Sequence, residues 1–239
     1  MKSDDKVLRS RGLVSENEIK CNSSLEESEI ISLLTSKEAY ERTIAARLLV
    51  KYKTKENLEL LINGLVKEKK LYTKIALSES ISEFGSLASE LLIKYLGKVG
   101  KNQHRELPDK EFLKNNYPLP RDIIARTIIR IEVDALPSLN ECIISGEYIQ
   151  KLEAVDAIGF ISFYSKDDSS LNNLLLLLES SEDEVLIWKI LRALQSFNDS
   201  EVIKILSKYL ESDIRQFAFE AKRSLKQIER LANESKKND

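Results

Sequence analysis

The sequence predicts an all-α protein built as a right-handed solenoid of about five to six helix pairs. Three observations carry that expectation. Only 7 glycines and 4 prolines occur in 239 residues, against abundant Leu, Ile, Lys, Glu and Ser, a composition that favours helices over a loop-rich β protein. From Leu25 onward, apolar residues return at helical spacing in segments of roughly 12 to 18 residues, divided by short polar breaks. Every second segment carries the same small-and-aliphatic pattern at a near-constant interval.

In chain order, residues 1–24 are polar and charged, with scattered apolar positions at Val7, Leu8, Leu13, Val14 and Ile19. They read as a flexible N-terminal arm, with one short helix covering the first repeat. The repeat domain spans 25–231. First helices are expected over 25–34, 55–66, 87–96, 135–144, 170–178 and 201–210, each a plain amphipathic segment such as ENLELLINGL. Thr35 with Glu38, and Ser181 with Glu184, have the spacing of a capping box. Gly85 suits a left-handed helix end.

The second helices align with one another. Ala45, Ala46, Leu48 and Leu49 correspond to Leu77, Ser78, Ser80 and Ile81, then to Ala125, Ile128 and Ile129. They correspond further to Ala154, Val155, Ala157 and Ile158, to Ile190, Leu191, Ala193 and Leu194, and to Ala218, Phe219 and Ala221. Small residues recur where helices must approach closely, and a lone hairpin could not bury such a face without neighbours. Beyond Ala232 the chain turns steadily more polar, and 232–239 read as a disordered tail.

This pattern resembles the HEAT-repeat family, including its bacterial lyase-like branch. The resemblance covers roughly residues 25 to 230. It rests on Arg42-x-x-Ala45-Ala46-x-Leu48-Leu49, on Arg215-x-x-Ala218-Phe219-x-Ala221, and on Ala135-Leu136-Pro137-x-Leu139. Lys222 departs from it, standing where the family pattern has an apolar residue. The resemblance implies an armadillo-like superhelix that binds a macromolecule along its concave face.

The interval between second helices runs 32 residues from Arg42 to Lys74, then 29, 36 and 28 from Asp122 through Lys151 and Ile187 to Arg215. One step breaks it: Lys74 to Asp122 is 48. The excess is a loop insertion at 99–120 in the third repeat, with a short helix suggested at 109–115. Insertions in a repeat emerge on one face, often the binding face. Between Lys94 and Arg121, seven basic residues face three acidic ones. A tolerated surface loop and a binding element fit that composition alike.

Candidate partner-binding residues follow from these two features. Arg47, Glu79, Thr127, Asp156, Arg192 and Glu220 occupy equivalent outward positions on successive second helices. That mixed row suits a protein partner better than a uniformly basic or aromatic track. Trp188 is a candidate aromatic anchor. Lys110, Lys114 and Arg121 are the candidate contacts on the insertion. Residues 132–220 hold 17 acidic and 7 basic side chains, whereas 1–131 hold 19 acidic and 24 basic. The acidic part would repel a nucleic-acid backbone, so nucleic acid is not the expected partner.

No catalytic, cofactor or metal site is expected. The resemblance extends to iron hydroxylases, but they need several His-Glu pairs and this chain has one histidine, His104, followed by Arg105. It extends to DNA glycosylases with basic aromatic grooves, which one tryptophan and acidic later repeats match poorly. A phycobilin-lyase-like chromophore handler, whose residues form no compact motif, stands as a further alternative. So does a nucleic-acid binder using the basic N-terminal half. Cys142 lies on an apolar helix face in LNECII and reads as structural. The two cysteines suit a reduced compartment, and the charged N-terminus has no apolar signal core. The expectation is a monomeric cytoplasmic protein-binding scaffold without a membrane span.

Overall fold

In the computed structural model, residues 4–238 are described, and all regular structure among them is helical. No helix among them is long and apolar enough to cross a membrane. The chain divides into two compact units, the first ending at Leu92 and the second starting at Ile93. The boundary falls inside the third expected pair, where the insertion interrupts it.

The first unit contains α1 (Asp5–Ser10), α2 (Glu16–Cys21), α3 (Glu27–Leu33), α4 (Ala39–Leu49), α5 (Lys55–Lys67), α6 (Leu71–Ser82) and α7 (Ser86–Leu92). Its spine is the packing of α4 on α6. Ala45, Ala46 and Leu49 are fully buried there, with Ala76, Leu77 and Ile81 opposite. Small residues let the two backbones approach, and the hydroxyls of Thr43 and Thr73 bond to each other at 2.9 Å in the seam. Gly85, at φ +59, turns the chain from α6 into α7, as its position in the sequence suggests.

The N-terminal arm differs from expectation. Residues 4–24 form two short helices that pack on α4. Gly12 takes φ +91 and sits so close to Thr43 and Thr73 that no side chain would fit. The Tyr72 N–H donates to the Arg11 carbonyl at 3.1 Å, and the Arg9 guanidinium lies 3.8 Å over the Tyr40 ring. The arm is docked because a glycine permits a backbone approach that the scattered apolar residues alone would not achieve. Residues 1–3 lie outside the described range.

The second unit contains α8 (Ile123–Ile128), α9 (Leu136–Ser145), α10 (Tyr148–Ser165), α11 (Leu171–Ser180), α12 (Glu184–Ala193), α13 (Ser200–Tyr209) and α14 (Arg215–Asn238). The second helices α8, α10, α12 and α14 pack in succession, and α9, α11 and α13 each lean on their hairpin partners. A 3₁₀ stretch joins α8 to α9, kinked at Glu132 with φ 59. The last helix continues through Asn238, so the expected disordered tail begins as helix. Asp239 lies outside the described range. Residues 109–115 form no helix.

Neither expected capping box forms. The Thr35 hydroxyl instead bonds the Ser32 carbonyl, α4 begins after Glu38, and Asp183 caps α12. Capping boxes occur at Ser15/Glu18, Glu26/Glu29 and Glu147/Gln150.

Candidate functional site

The most chemically loaded place in the second unit is the row along α10, α12 and α14. In a helix stack that row would ordinarily face solvent. Here it is buried, because the 99–120 segment lies across it as a strap.

The strap is fixed at its start. Gly97 and Gly100 turn with φ +72 and +84, and Arg105 donates to the Gly97 carbonyl at 2.5 Å. It is fixed at its end by Asp122, the N-cap of α8, which is wholly buried. One carboxylate oxygen accepts from the Ile124 and Ala125 N–H groups at 2.7 and 2.9 Å. The other accepts from Gln103 at 2.8 Å and from the Gly97 N–H at 3.2 Å. Burial raises this carboxyl above its ordinary range, and those four bonds oppose the rise.

Between these ends, three rings contact three helices. His104 stands edge-on to Trp188 of α12, centroids 5.0 Å apart. Phe112 lies under the Arg223 guanidinium of α14 at 5.3 Å. Tyr117 is 1% exposed and packs among Phe160 and Phe163 of α10. Its phenol sits against Gly159, where any side chain would overlap it. A mid-helix glycine costs about 1 kcal/mol of helix propensity; at 159 it makes the socket for Tyr117. Polar links to α14 complete the seat: Glu111 with Arg215 at 2.9 Å, and Arg230 donating to the Asn115 carbonyl at 3.0 Å.

Under the strap runs a network of alternating charge. The Lys189 ammonium is fully buried and donates to Asp156 at 2.9 Å, to the Leu152 carbonyl at 3.0 Å and to Glu153 at 3.1 Å. The Arg192 guanidinium stacks 3.9 Å over Trp188 and lies 3.7 Å from Glu220, whose other oxygen takes Arg223 at 2.6 Å. Burial lifts the Glu153 carboxyl to about 7; Lys189 pulls it down and Asp156 pushes it up. Burial, with Arg121 and Arg192 nearby, lowers His104 to about 4. Burial also drives the Tyr117 phenol well above its usual range.

Several sequence-derived candidates are therefore placed differently from expectation. Asp156, Arg192 and Glu220 do form one row, but 4%, 6% and 2% exposure leaves them covered rather than presented. Trp188, at 2% exposure, is no outward anchor; His104 and Arg192 enclose it. Arg47 and Glu79, in the first unit, form an ion pair at the surface. Lys110, Lys114 and Arg121 are exposed on the strap. Tyr117, Gly159, Glu153 and Lys189 were missed. The signals were present: a glycine inside a helical apolar run, and a lysine on the apolar face of LIWKIL.

No protein-family model matches the chain, and no curated protein matches it. Solved structures that it resembles include an engineered protein at 18% identity and TM-score 0.39, covering 95% of this chain and 66% of that one. A second engineered protein aligns at 16% identity and TM-score 0.40, covering 85% and 96%. Human deoxyhypusine hydroxylase aligns at 11% identity and TM-score 0.38, covering 95% and 96%.

Proposed function

We propose that the chain is a non-catalytic protein-binding scaffold, and that it offers the outer side of the strap to its partner. One observation carries this reading. The strap is held in place by buried Tyr117 and by the bonds to Asp122, yet it exposes Leu113 to 77% and Leu119 to 59%. Leu113 is the most exposed large apolar side chain among the described residues. Lys110, Lys114 and Arg121, near this pair in the sequence, are all exposed. Ordered backbone with protruding apolar side chains binds without a large ordering cost, and such side chains ringed by polar groups suit an interface. The fitting partner has an apolar pocket with an acidic rim.

The mixed chemistry favours protein over nucleic acid. In the basic N-terminal half, Arg9, Arg42 and Arg47 are committed to Glu18, Glu68 and Glu79, which leaves no continuous phosphate track among them.

The test is a nuclease-treated pull-down at moderate salt, comparing the intact chain with a Leu113→Asp, Leu119→Asp double variant. Both side chains are exposed, so the variant should melt at the same temperature. The expected outcome is one protein retained by the intact chain and bound about tenfold or more weakly by the variant. Equal retention by both would sink the strap as the interface. Loss on nuclease treatment, with a steep salt dependence that Lys110→Glu, Lys114→Glu and Arg121→Glu abolish, would replace it with nucleic-acid binding.

A further inference from the structure

We propose that the row face of α10, α12 and α14 is a peptide-binding groove, and that residues 99–121 are its tethered occupant. The occupant reveals the ligand class: an extended, basic segment with two aromatic side chains about five residues apart and a proline beside the second.

The strap meets the groove as a peptide ligand would. It has no regular structure of its own. It crosses three helices and gives each a ring, His104 to α12, Phe112 to α14 and Tyr117 to α10. Tyr117, the deepest, fills a socket made by Gly159, Phe160 and Phe163. Aromatic anchors in preformed sockets are the usual centres of binding energy.

The groove carries more polar chemistry than a stack needs. Buried ion pairs contribute little net stability, and well-packed apolar residues often replace them at no loss. Lys189, Glu153, Asp156, Arg192, Glu220 and Arg223 are nonetheless all buried in this face. The strap's rings cover them without satisfying them. Asp156 Oδ1 and Glu153 Oε2 are buried there with no protein hydrogen-bond partner. A buried polar atom left unpaired is costly, so a ligand with polar groups at those points would fit better than the strap does. The face itself is balanced in charge, with Glu153, Asp156 and Glu220 against Lys189, Arg192 and Arg223, and the strap carries five basic and three acidic side chains between 99 and 121.

Release of the strap breaks no helix. Glycines with positive φ at 97 and 100 form its first bend. A short tether holds an occupant at an effective concentration on the order of millimolar, so in the intact chain a free peptide must compete with the strap.

The experiment replaces residues 101–119 with a Gly/Ser linker of equal length in the full chain, and titrates it with a synthetic peptide of residues 99–121. Saturable binding is expected, at least tenfold tighter than to the intact chain. Phe112→Ala, Tyr117→Ala peptide should bind at least tenfold more weakly. A folded linker variant that ignores the peptide, or binds both peptides alike, overturns the proposal. If the linker variant does not fold, a full chain carrying Phe112→Ala and Tyr117→Ala, whose strap is kept but weakened, is titrated with the unaltered peptide. Saturable binding that the doubly substituted peptide lacks supports a separable occupant; no binding overturns it. The Leu113→Asp, Leu119→Asp test leaves the groove filled, so the two proposals can fail separately.

Discussion

His104 and Glu153 lie in one cluster yet respond to pH in opposite senses. His104 is lowered from 6.5 to about 4 in the folded chain. Its contribution is therefore present above the unfolded value and is lost as pH falls from about 6.5 towards 4. Glu153 is raised from 4.5 to about 7, so its contribution is full below 4.5 and is lost as pH rises through 7. His104 touches the sole tryptophan, Trp188, which gives a direct readout. Intrinsic fluorescence should change as pH falls towards 4, where the imidazole of the folded chain charges. His104→Gln should flatten that transition; if its profile matches the parent's, His104 does not couple the strap to pH.

Asp122 shows at the level of an element what holds the strap's two ends. A single carboxylate caps α8 and fastens Gln103 and the Gly97 amide. Loss of an N-cap costs about 1 kcal/mol, and the orphaned, buried Gly97 N–H adds about 1–3 kcal/mol, while the half-buried Gln103 amide keeps the Val99 carbonyl. Asp122→Ala should therefore lower unfolding stability by roughly 2–4 kcal/mol in urea, with Asp122→Asn losing much less. A loss under 1 kcal/mol would mean the ends are held elsewhere. The sequence indicated most elements because apolar spacing reports helix faces directly: α5 and α9 fall within two residues of the segments expected at 55–66 and 135–144. The capping boxes failed because spacing alone does not select a cap. Asp183 stands two residues after Ser181 and accepts from the Leu186 N–H.

At the scale of the whole molecule, the all-helical class and the alignment of second helices were readable, and the coverage of the row was not. Asp156, Arg192 and Glu220 were placed correctly relative to one another, since helical periodicity fixes which positions share a face. Whether another segment covers that face depends on contacts between distant residues, which periodicity does not encode. Tyr117 had no local pattern to mark it, and only the unexplained Gly159 hinted at a socket.

Those distant contacts change how the second unit should come apart. In a simple repeat array each hairpin touches only its neighbours, so stability is a chain of local terms and the ends fray first. Here Glu111 reaches Arg215 across 104 positions and Asn115 reaches Arg230 across 115, so the last helix is bound to the first part of its unit. The ladder becomes a closed circuit, and α14 cannot loosen without opening the strap. Hydrogen exchange should show α14 between Phe217 and Ile228 opening together with α10, in one cooperative step. Cutting the circuit by Glu111→Ala, Tyr117→Ala and Arg230→Ala should let α14 open ahead of α10, whereas unchanged exchange would mean the helices alone supply the cooperativity. The closure should also slow folding, because such long loops must form before their contacts contribute. A repeat protein closed in this way gives up piecewise growth and gains an all-or-none response to whatever displaces its strap.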